Sequence, residues 1–315
     1  MYTIKEASAR SGVGVPLLRA WERRYGVVAP TRTRSGYRLY DDEAILRLTA
    51  MRELISGGWA AQQAAEHVRS ATSAELESVS RAASAARETD SEGEPGGPTW
   101  SSAQSEELIS RLVSAARQLD DHALEAALDD TFGALRFEAA ADRVLMPALR
   151  AIGVAWERSE VSVAGEHAAS QAVLRRLAMA YEAAGDGAAE RPVLVGLGPG
   201  ARHEFGALAF ATTARRGGLP VIYLGPDLPV EDWASAAVEC DARAAVIGVP
   251  RRADAQRAGQ VLDALRAARP GMVLAVGGAH AGRLARDAGP IELSGAMSQA
   301  VDRLRDALGA PFART

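Results

Sequence analysis

The side chain best placed for metal chemistry is His203, in the run Pro199-Gly200-Ala201-Arg202-His203-Glu204-Phe205-Gly206. It follows the apolar stretch 192–197, so its imidazole is expected just past the end of a strand. A glycine pair, Gly277-Gly278, follows a second apolar stretch at 272–276. A neutral imidazole can ligate a transition metal, and residues without side chains leave room for a bulky group beside it. A second group combines Trp156-Glu157 with Glu166-His167, nine residues intervening between Trp156 and Glu166. It offers a flat apolar indole, two carboxylates and an imidazole. A third is made of arginines, with Arg19, Arg23 and Arg24 in one segment and Arg32, Arg34 and Arg38 in the next. Such a set suits the phosphates and base edges of a nucleic acid.

These groups need three kinds of scaffold. Residues 2–25 read as two helices broken at Gly12, a helix-turn-helix. Arg19 and Arg23 lie four apart on one face of the second helix, and Leu18 and Trp21 three apart on the other. Residues 30–40 have the composition of a β-hairpin wing, with Gly36 at the turn. Leu108, Leu112, Ala115 and Leu119 open a helical stretch, 106–182, divided near 119–121, 131–133 and 158–165 into about four helices. After Gly185 short apolar runs at 192–197, 220–224, 244–249 and 272–276 alternate with helical segments, the pattern of a parallel sheet covered on both faces. Ligands of such sheets bind beyond the carboxyl ends of the strands.

The expected class is therefore α/β multidomain. Residues 1–75 form a winged helix-turn-helix, 76–103 a linker, 104–187 a helical bundle and 188–315 a doubly wound, Rossmann-like domain. The linker contains Glu88-Thr89-Asp90-Ser91-Glu92-Gly93-Glu94-Pro95-Gly96-Gly97-Pro98, which has little to bury and would let its neighbours move independently.

Net charge is −4, but residues 1–70 carry +4 and the remainder −8. A basic module that meets phosphate and an acidic body that does not would be divided in this way. No apolar run is long enough to span a bilayer, and the N-terminus lacks a signal peptide's apolar stretch, so a cytoplasmic, membrane-free protein is expected. The single Cys240 excludes an internal disulfide and a cysteine-cluster metal site; it reads as a small buried hydrophobe. His67, His122 and His280 have no partner pattern. Gly196-Leu197-Gly198-Pro199-Gly200 lacks the last glycine of a dinucleotide loop, Ala201 standing there. With no catalytic triad or carboxylate pair evident, an enzyme is not expected.

Residues 2–70 resemble the MerR-type winged helix-turn-helix through Trp21-Glu22-Arg23-Arg24-Tyr25-Gly26 and Gly36-Tyr37-Arg38-Leu39-Tyr40. The resemblance implies that Arg19, Arg23 and Arg24 of the recognition helix and Arg34, Tyr37 and Arg38 of the wing contact double-stranded promoter DNA, with Trp21 and Tyr25 in the core. Residues 104–310 resemble the bundle-plus-Rossmann module of corrinoid proteins, and the combination is similar to the CarH/LitR light-responsive repressors. That family carries Asp/Glu-x-His-x-x-Gly, then Ser-x-Leu, then Gly-Gly. The likeness implies that His203 is the lower cobalt ligand of cobalamin, most readily adenosylcobalamin, and that Gly206, Gly248, Gly277 and Gly278 line the pocket of its nucleotide tail. It also implies that Trp156, Glu157, Glu166 and His167 close over the upper face of the corrin, and that the protein assembles with itself as a dimer or tetramer.

Three positions depart from that pattern. Ala201 replaces the carboxylate that orients the imidazole, Gly248-Val249-Pro250 replaces Ser-x-Leu, and Glu157 replaces the histidine that takes the upper cobalt position in light-sensing members. The first function implied is a cobalamin-dependent, light-responsive repressor; the alternative is a cobalamin-independent MerR-type regulator with a degenerate corrinoid fold, governed by another ligand or a partner protein.

Overall fold

The computed structural model describes residues 1–33, 37–88, 100–185, 191–285 and 289–309. Two compact units emerge, one of residues 1–137 and 152–185, the other of 138–151 and 186–315.

The first unit opens with β1 (Tyr2–Thr3), α1 (Ile4–Ser11), α2 (Val15–Tyr25), β2 (Thr31–Arg32) and β3 (Arg38–Tyr40). Thr3 starts α1 through a reciprocal capping box with Glu6, and Gly12, at φ +67°, ends it. Only a residue without Cβ adopts that left-handed turn freely, and the turn is what sets α2 against α1. Pro16 sits in the first turn of α2, where a missing N–H costs nothing. The three strands form an antiparallel sheet in the order β1-β3-β2, with Tyr2 opposite Tyr40 and Arg32 opposite Arg38. Helices α3 (Asp42–Ser56), α4 (Ala61–Ser70) and α5 (Ser73–Glu88) follow. Leu18, Trp21, Tyr40, Leu48, Met51 and Leu76 are buried together in the core of this head.

The bundle of the first unit is formed by α6 (Ser102–Gln118), α7 (Asp121–Ala134) and α10 (Val163–Ala183), and a composite helix, most of it assigned to the second unit, connects α7 to α10. The composite begins as α8 (Phe137–Ala140), widens into a π-turn at Ala141–Leu145 and continues as α9 (Met146–Glu157). Pro147 has no N–H to return to the preceding turn, and the π-turn directly before it absorbs the mismatch, Met146 N–H reaching the Ala141 carbonyl. The break expected near 131–133 falls instead at Leu135-Arg136: α7 packs against α6 and α10 and continues through Gly133 to Ala134, the Thr131 hydroxyl donating to the Ala127 carbonyl within it. Gly165 lets α10 approach α6 closely, since a Cβ there would run into the Ala116 carbonyl.

The second unit is built on β4 (Val193–Leu197), β5 (Val221–Gly225), β6 (Ala244–Gly248), β7 (Val273–Gly277) and β8 (Ile291–Leu293), all parallel in the order β5-β4-β6-β7-β8. Helices α11 (Phe205–Arg216), α12 (Val230–Glu239), α13 (Ala255–Ala268) and α14 (Met297–Leu308) make the crossovers and the closing helix. Four strands lie where the apolar runs predict them. The fifth, β8, is three residues long with only Leu293 fully buried, too little for the pattern to announce. Cys240 is half-buried and donates its thiol to the Ala236 carbonyl, and burial raises its pKa.

Trp233 is fully buried on α12, packs against the Gly196 backbone and donates its Nε1–H to the Leu197 carbonyl at 3.4 Å. Trp233→Ala is expected to destabilise the second unit by about 3–5 kcal/mol and Trp233→Phe by clearly less, as read by urea denaturation followed by circular dichroism; equal effects of the two would show that ring volume is not what Trp233 contributes.

Candidate functional site

In the head, α2 and the wing are fastened by one carboxylate. Glu22, half-buried on α2, accepts the Arg38 Nε–H at 3.0 Å on each of its oxygens and the Tyr40 hydroxyl at 3.3 Å. Burial, reinforced by the Glu22 charge, pushes the Tyr40 hydroxyl up to about 12, so it stays a donor at any working pH. Around this clamp Arg19, Arg23 and Arg24 project from α2 into solvent, and Tyr37 is 73% exposed on the wing. Trp21 is buried as expected, while Tyr25 is only half-buried, with the Arg24 guanidinium 5.5 Å from its ring centre. Arg38 therefore has part of its guanidinium committed within the head, which the sequence did not signal. Arg34 and Gly36 lie outside the described residues.

In the second unit the strands reverse direction of travel across the sheet between β4 and β6, the place where open α/β sheets leave a crevice. Register brings the strand ends level: Leu197 pairs with Gly248, and Gly248 with Gly277. His203 is exposed on the loop after β4, and Gly206 lies in the first turn of α11 with no atom within 4 Å of where a Cβ would be. At Gly277 the nearest such atom is the Leu293 carbonyl at 3.8 Å, so the rim is open there. Gly278 is different in kind. At φ +101°, a Cβ would stand 2.9 Å from the Val249 carbonyl oxygen, so the backbone itself demands glycine. Gly248 is closely bounded, its Cβ position lying 3.2 Å from Leu197 Cγ.

The loop that carries His203 is braced by a residue of the next strand's loop. Asp227, itself at φ +57°, accepts the Gly200 N–H at 2.6 Å and an Arg202 N–H at 3.4 Å, while its own N–H donates to the Ala201 carbonyl at 3.0 Å. The Gly200 N–H, with Arg202 and Arg257 adding to it, holds the Asp227 carboxyl below the usual aspartate range. Ala201 is 2% exposed. Where the corrinoid pattern has a carboxylate at that position, this chain holds the backbone under His203 with a carboxylate 26 residues further on. No motif marks Asp227; its place after a strand at the sheet's rim is the signal that could have found it.

In the first unit, Trp156 is 47% exposed near the end of α9, and Glu157 beside it is exposed. Ser162 caps α10 by accepting the Gly165 N–H at 3.1 Å, which places Glu166 in the first turn and His167 directly after it. Glu166 takes the Ser170 hydroxyl at 2.8 Å on one oxygen and faces His167 Nδ1 at 2.9 Å with the other. His167 Nδ1 is also 3.0 Å from the Val163 carbonyl. Both neighbours are acceptors, so Nδ1 must carry the proton, and in the neutral ring Nε2 keeps its lone pair. Of the remaining histidines, His122 is exposed, His280 half-buried, and His67 meets the Trp59 ring edge-on at 5.4 Å. Among the described residues no group of three or more His, Cys, Asp or Glu could by itself hold a metal ion, and no helix is long and apolar enough to cross a membrane.

Comparison with known proteins bears on both the head and the module that follows it. Residues 2–71 match the MerR HTH family of regulatory proteins, and residues 108–181 match the B12 binding domain family. The HTH-type transcriptional repressor CarH of Myxococcus xanthus is 33% identical over 281 residues, 89% of each chain. The chain belongs to the CarH family of MerR-type regulators with a B12-binding domain. CarA, a second repressor of the same organism, is 30% identical over 278 residues, covering 87% of this chain and 85% of CarA. The monomethylamine corrinoid protein of Methanosarcina barkeri shares the fold, with a TM-score of 0.51 at 13% identity over 64% of this chain and 96% of its own. The CarH-like architecture is thus a DNA-binding head followed by a corrinoid-type module, as the residue patterns imply.

Arg19→Ala and Arg23→Ala are each expected to weaken DNA binding and to lower the slope of log affinity against log salt by about 1 for each phosphate no longer neutralised. Arg38→Ala should weaken it further, because it also releases the wing from Glu22. Fluorescence anisotropy at several salt concentrations reads both effects, and unchanged slopes for Arg19→Ala and Arg23→Ala would remove α2 from the interface.

Proposed function

We propose that this CarH-family protein is a transcriptional repressor that holds cobalamin, in its adenosyl form, on the rim of the parallel sheet, and that it binds promoter DNA as an oligomer whose state answers to light. The observation that carries the reading is the level alignment of Leu197, Gly248 and Gly277 beside an exposed His203. An imidazole and two adjacent glycine strand ends lie on the edge at which open α/β sheets bind ligands. The residues fit the group: Gly206 and Gly277 leave space that a Cβ would enter, and Gly278 holds the turn that keeps the space open.

His203 would supply the lower imidazole, with Asp227 fixing the backbone from which it projects. Gly206, Gly248, Gly277 and Gly278 would border the nucleotide tail. On the bundle, the exposed Trp156 indole offers a rigid apolar face to an upper ligand. Glu157 offers a carboxylate where light-sensing relatives have imidazole, and His167 has its Nε2 lone pair free. When bound, cobalamin supplies a light-sensitive cobalt–carbon bond, the protein providing orientation and readout. Arg19, Arg23, Arg24, Arg34, Tyr37 and Arg38 would hold the DNA, and repeated heads in a dimer or tetramer would raise affinity through effective concentration. No catalytic role is assigned to any residue. A cobalamin-independent regulator is the second reading, favoured by the loss of hydroxyl at Gly248 and of imidazole at Glu157.

Absorption spectra of the purified protein after incubation with adenosylcobalamin in darkness and then in green light separate these readings. Retained, His-ligated cofactor is expected in the wild type, with His203→Ala giving a base-off spectrum and loss of cofactor on gel filtration. An unchanged spectrum and equal retention in His203→Ala would show that His203 is not a ligand, and no retention by the wild type would favour the second reading. Size-exclusion chromatography with light scattering should give a larger oligomer in darkness, and Glu157→His should slow loss of cobalamin after illumination. Identical oligomers in both conditions would remove light sensing while leaving cobalamin binding intact.

A further inference from the structure

Among the described residues Arg176 is the most deeply buried charged side chain of the first unit, 2% exposed, and its acceptors belong to both the DNA-reading head and the bundle. From α10, its Nη1–H donates at 3.1 Å to the carbonyl of Gly58, just past the end of α3 in the head. Its Nη2 donates to Glu125 at 2.9 Å and Asp129 at 2.8 Å, both on α7 of the bundle. The guanidinium carbon lies 5.7 Å from the centre of the Phe132 ring, also on α7. Gly58 is buried at φ +95°, and a Cβ there would run into that ring. Further along α10, Met179 and Ala183 pack into the apolar core of the head.

We propose that Arg176 is the positioning residue that fastens the DNA-reading head to the helical bundle, so that the two move as one body and a change of packing within the bundle re-aims α2.

Only a planar guanidinium can send directed N–H groups to a carbonyl on one side and to two carboxylates on the other; a lysine would be a point charge on a flexible stem. The negative end of α3 adds to the attraction at Gly58. A charge buried this deeply is tolerated only while its acceptors stay in place. Displacing α7 relative to α10 would therefore remove the carboxylates that make the Gly58 contact possible, and the joint is sensitive to how the bundle packs. In the fastened arrangement Arg19, Arg23 and Arg24 remain exposed, so the joint aims the reading face without covering it. The inference rests on the head being a DNA-binding module and not on cobalamin being the ligand.

The bundle should survive loss of Arg176. Glu125 keeps an ion pair with Arg175 at 3.0 Å, and Asp129, at 31% exposure, can reach water. The test uses the full chain in a Cys240→Ala background with spin labels at Ser70→Cys in the head and Ser110→Cys on α6, both exposed sites. Labelled chains are diluted with unlabelled protein so that only distances within one chain count. Pulsed electron resonance should give one narrow distance in the parent and a distribution at least about twofold broader in Arg176→Met, with unchanged far-ultraviolet circular dichroism. Arg176→Lys, which keeps charge and reach, should fall between them. Gly58→Ala attacks the joint from the head and should also broaden the distance; it decides the question if Arg176→Met fails to fold. A distance as narrow as the parent's in the folded variants would overturn the proposal, as would broadening in Arg176→Lys equal to that in Arg176→Met, since directed bonds and charge would then not be what fastens the head.

Discussion

The second unit depends on a constraint of parallel pairing: neighbouring strand ends can be held level, and whatever stands there must share one crowded edge. With Leu197 opposite Gly248 and Gly248 opposite Gly277, two of the three adjacent ends carry no side chain. That absence decides what the edge can hold. A side chain at Gly248 would press on Leu197, and one at Gly278 would strike the Val249 carbonyl and force open the turn after β7. The Val249 N–H, meanwhile, donates to the Gly277 carbonyl at 2.7 Å, so the loops after β6 and β7 are tied to each other before any ligand arrives. Trp233 beneath and Asp227 beside complete a rim that is preorganised by backbone contacts, and preorganisation of this kind reduces the ordering cost of binding.

The head solves a different problem with one carboxylate. A wing with a two-residue strand, β2, has little intrinsic stability. Glu22 joins it to the recognition helix by charge-assisted bonds from Arg38 and a further bond from Tyr40. Helix α2 and the wing thereby keep a fixed spacing while Arg19, Arg23 and Arg24 of α2 stay in solvent. The same residue thus serves a basic surface by being acidic, which explains why net charge alone describes this module incompletely.

Much of this was legible because it is local. The helix-turn-helix followed from Gly12 and from the spacing of Leu18, Trp21, Arg19 and Arg23, all within one turn or two of each other. Four strands followed from runs of branched apolar residues, and His203 and the Gly277 pair could be placed on the rim because strand ends are set by those runs, whereas Gly206 and Gly248 were singled out only by the family resemblance. What escaped was relational. Gly58 and Arg176 are 118 residues apart, and nothing in either segment names the other. Asp227 reaches back 27 residues to Gly200, and its sequence neighbours, Pro226 and Leu228, describe only a loop. The continuation of α7 through Gly133 escaped for the opposite reason: propensity argues for a break, and packing of the helix against α6 and α10 outweighs it. The linker stretch 89–99 lies outside the described residues, whereas the head and bundle on either side of it fall within one compact unit.

The substitution at Glu157 is best weighed against the charges around its neighbours on the bundle. Glu166 and the Val163 carbonyl both face His167 Nδ1 and together fix one tautomer. Glu157, exposed beside Trp156, offers oxygen, a harder ligand than imidazole nitrogen. The end of α9 and the start of α10 therefore present donors of two kinds, a carboxylate oxygen at Glu157 and an imidazole nitrogen whose tautomer is held by its neighbours at His167.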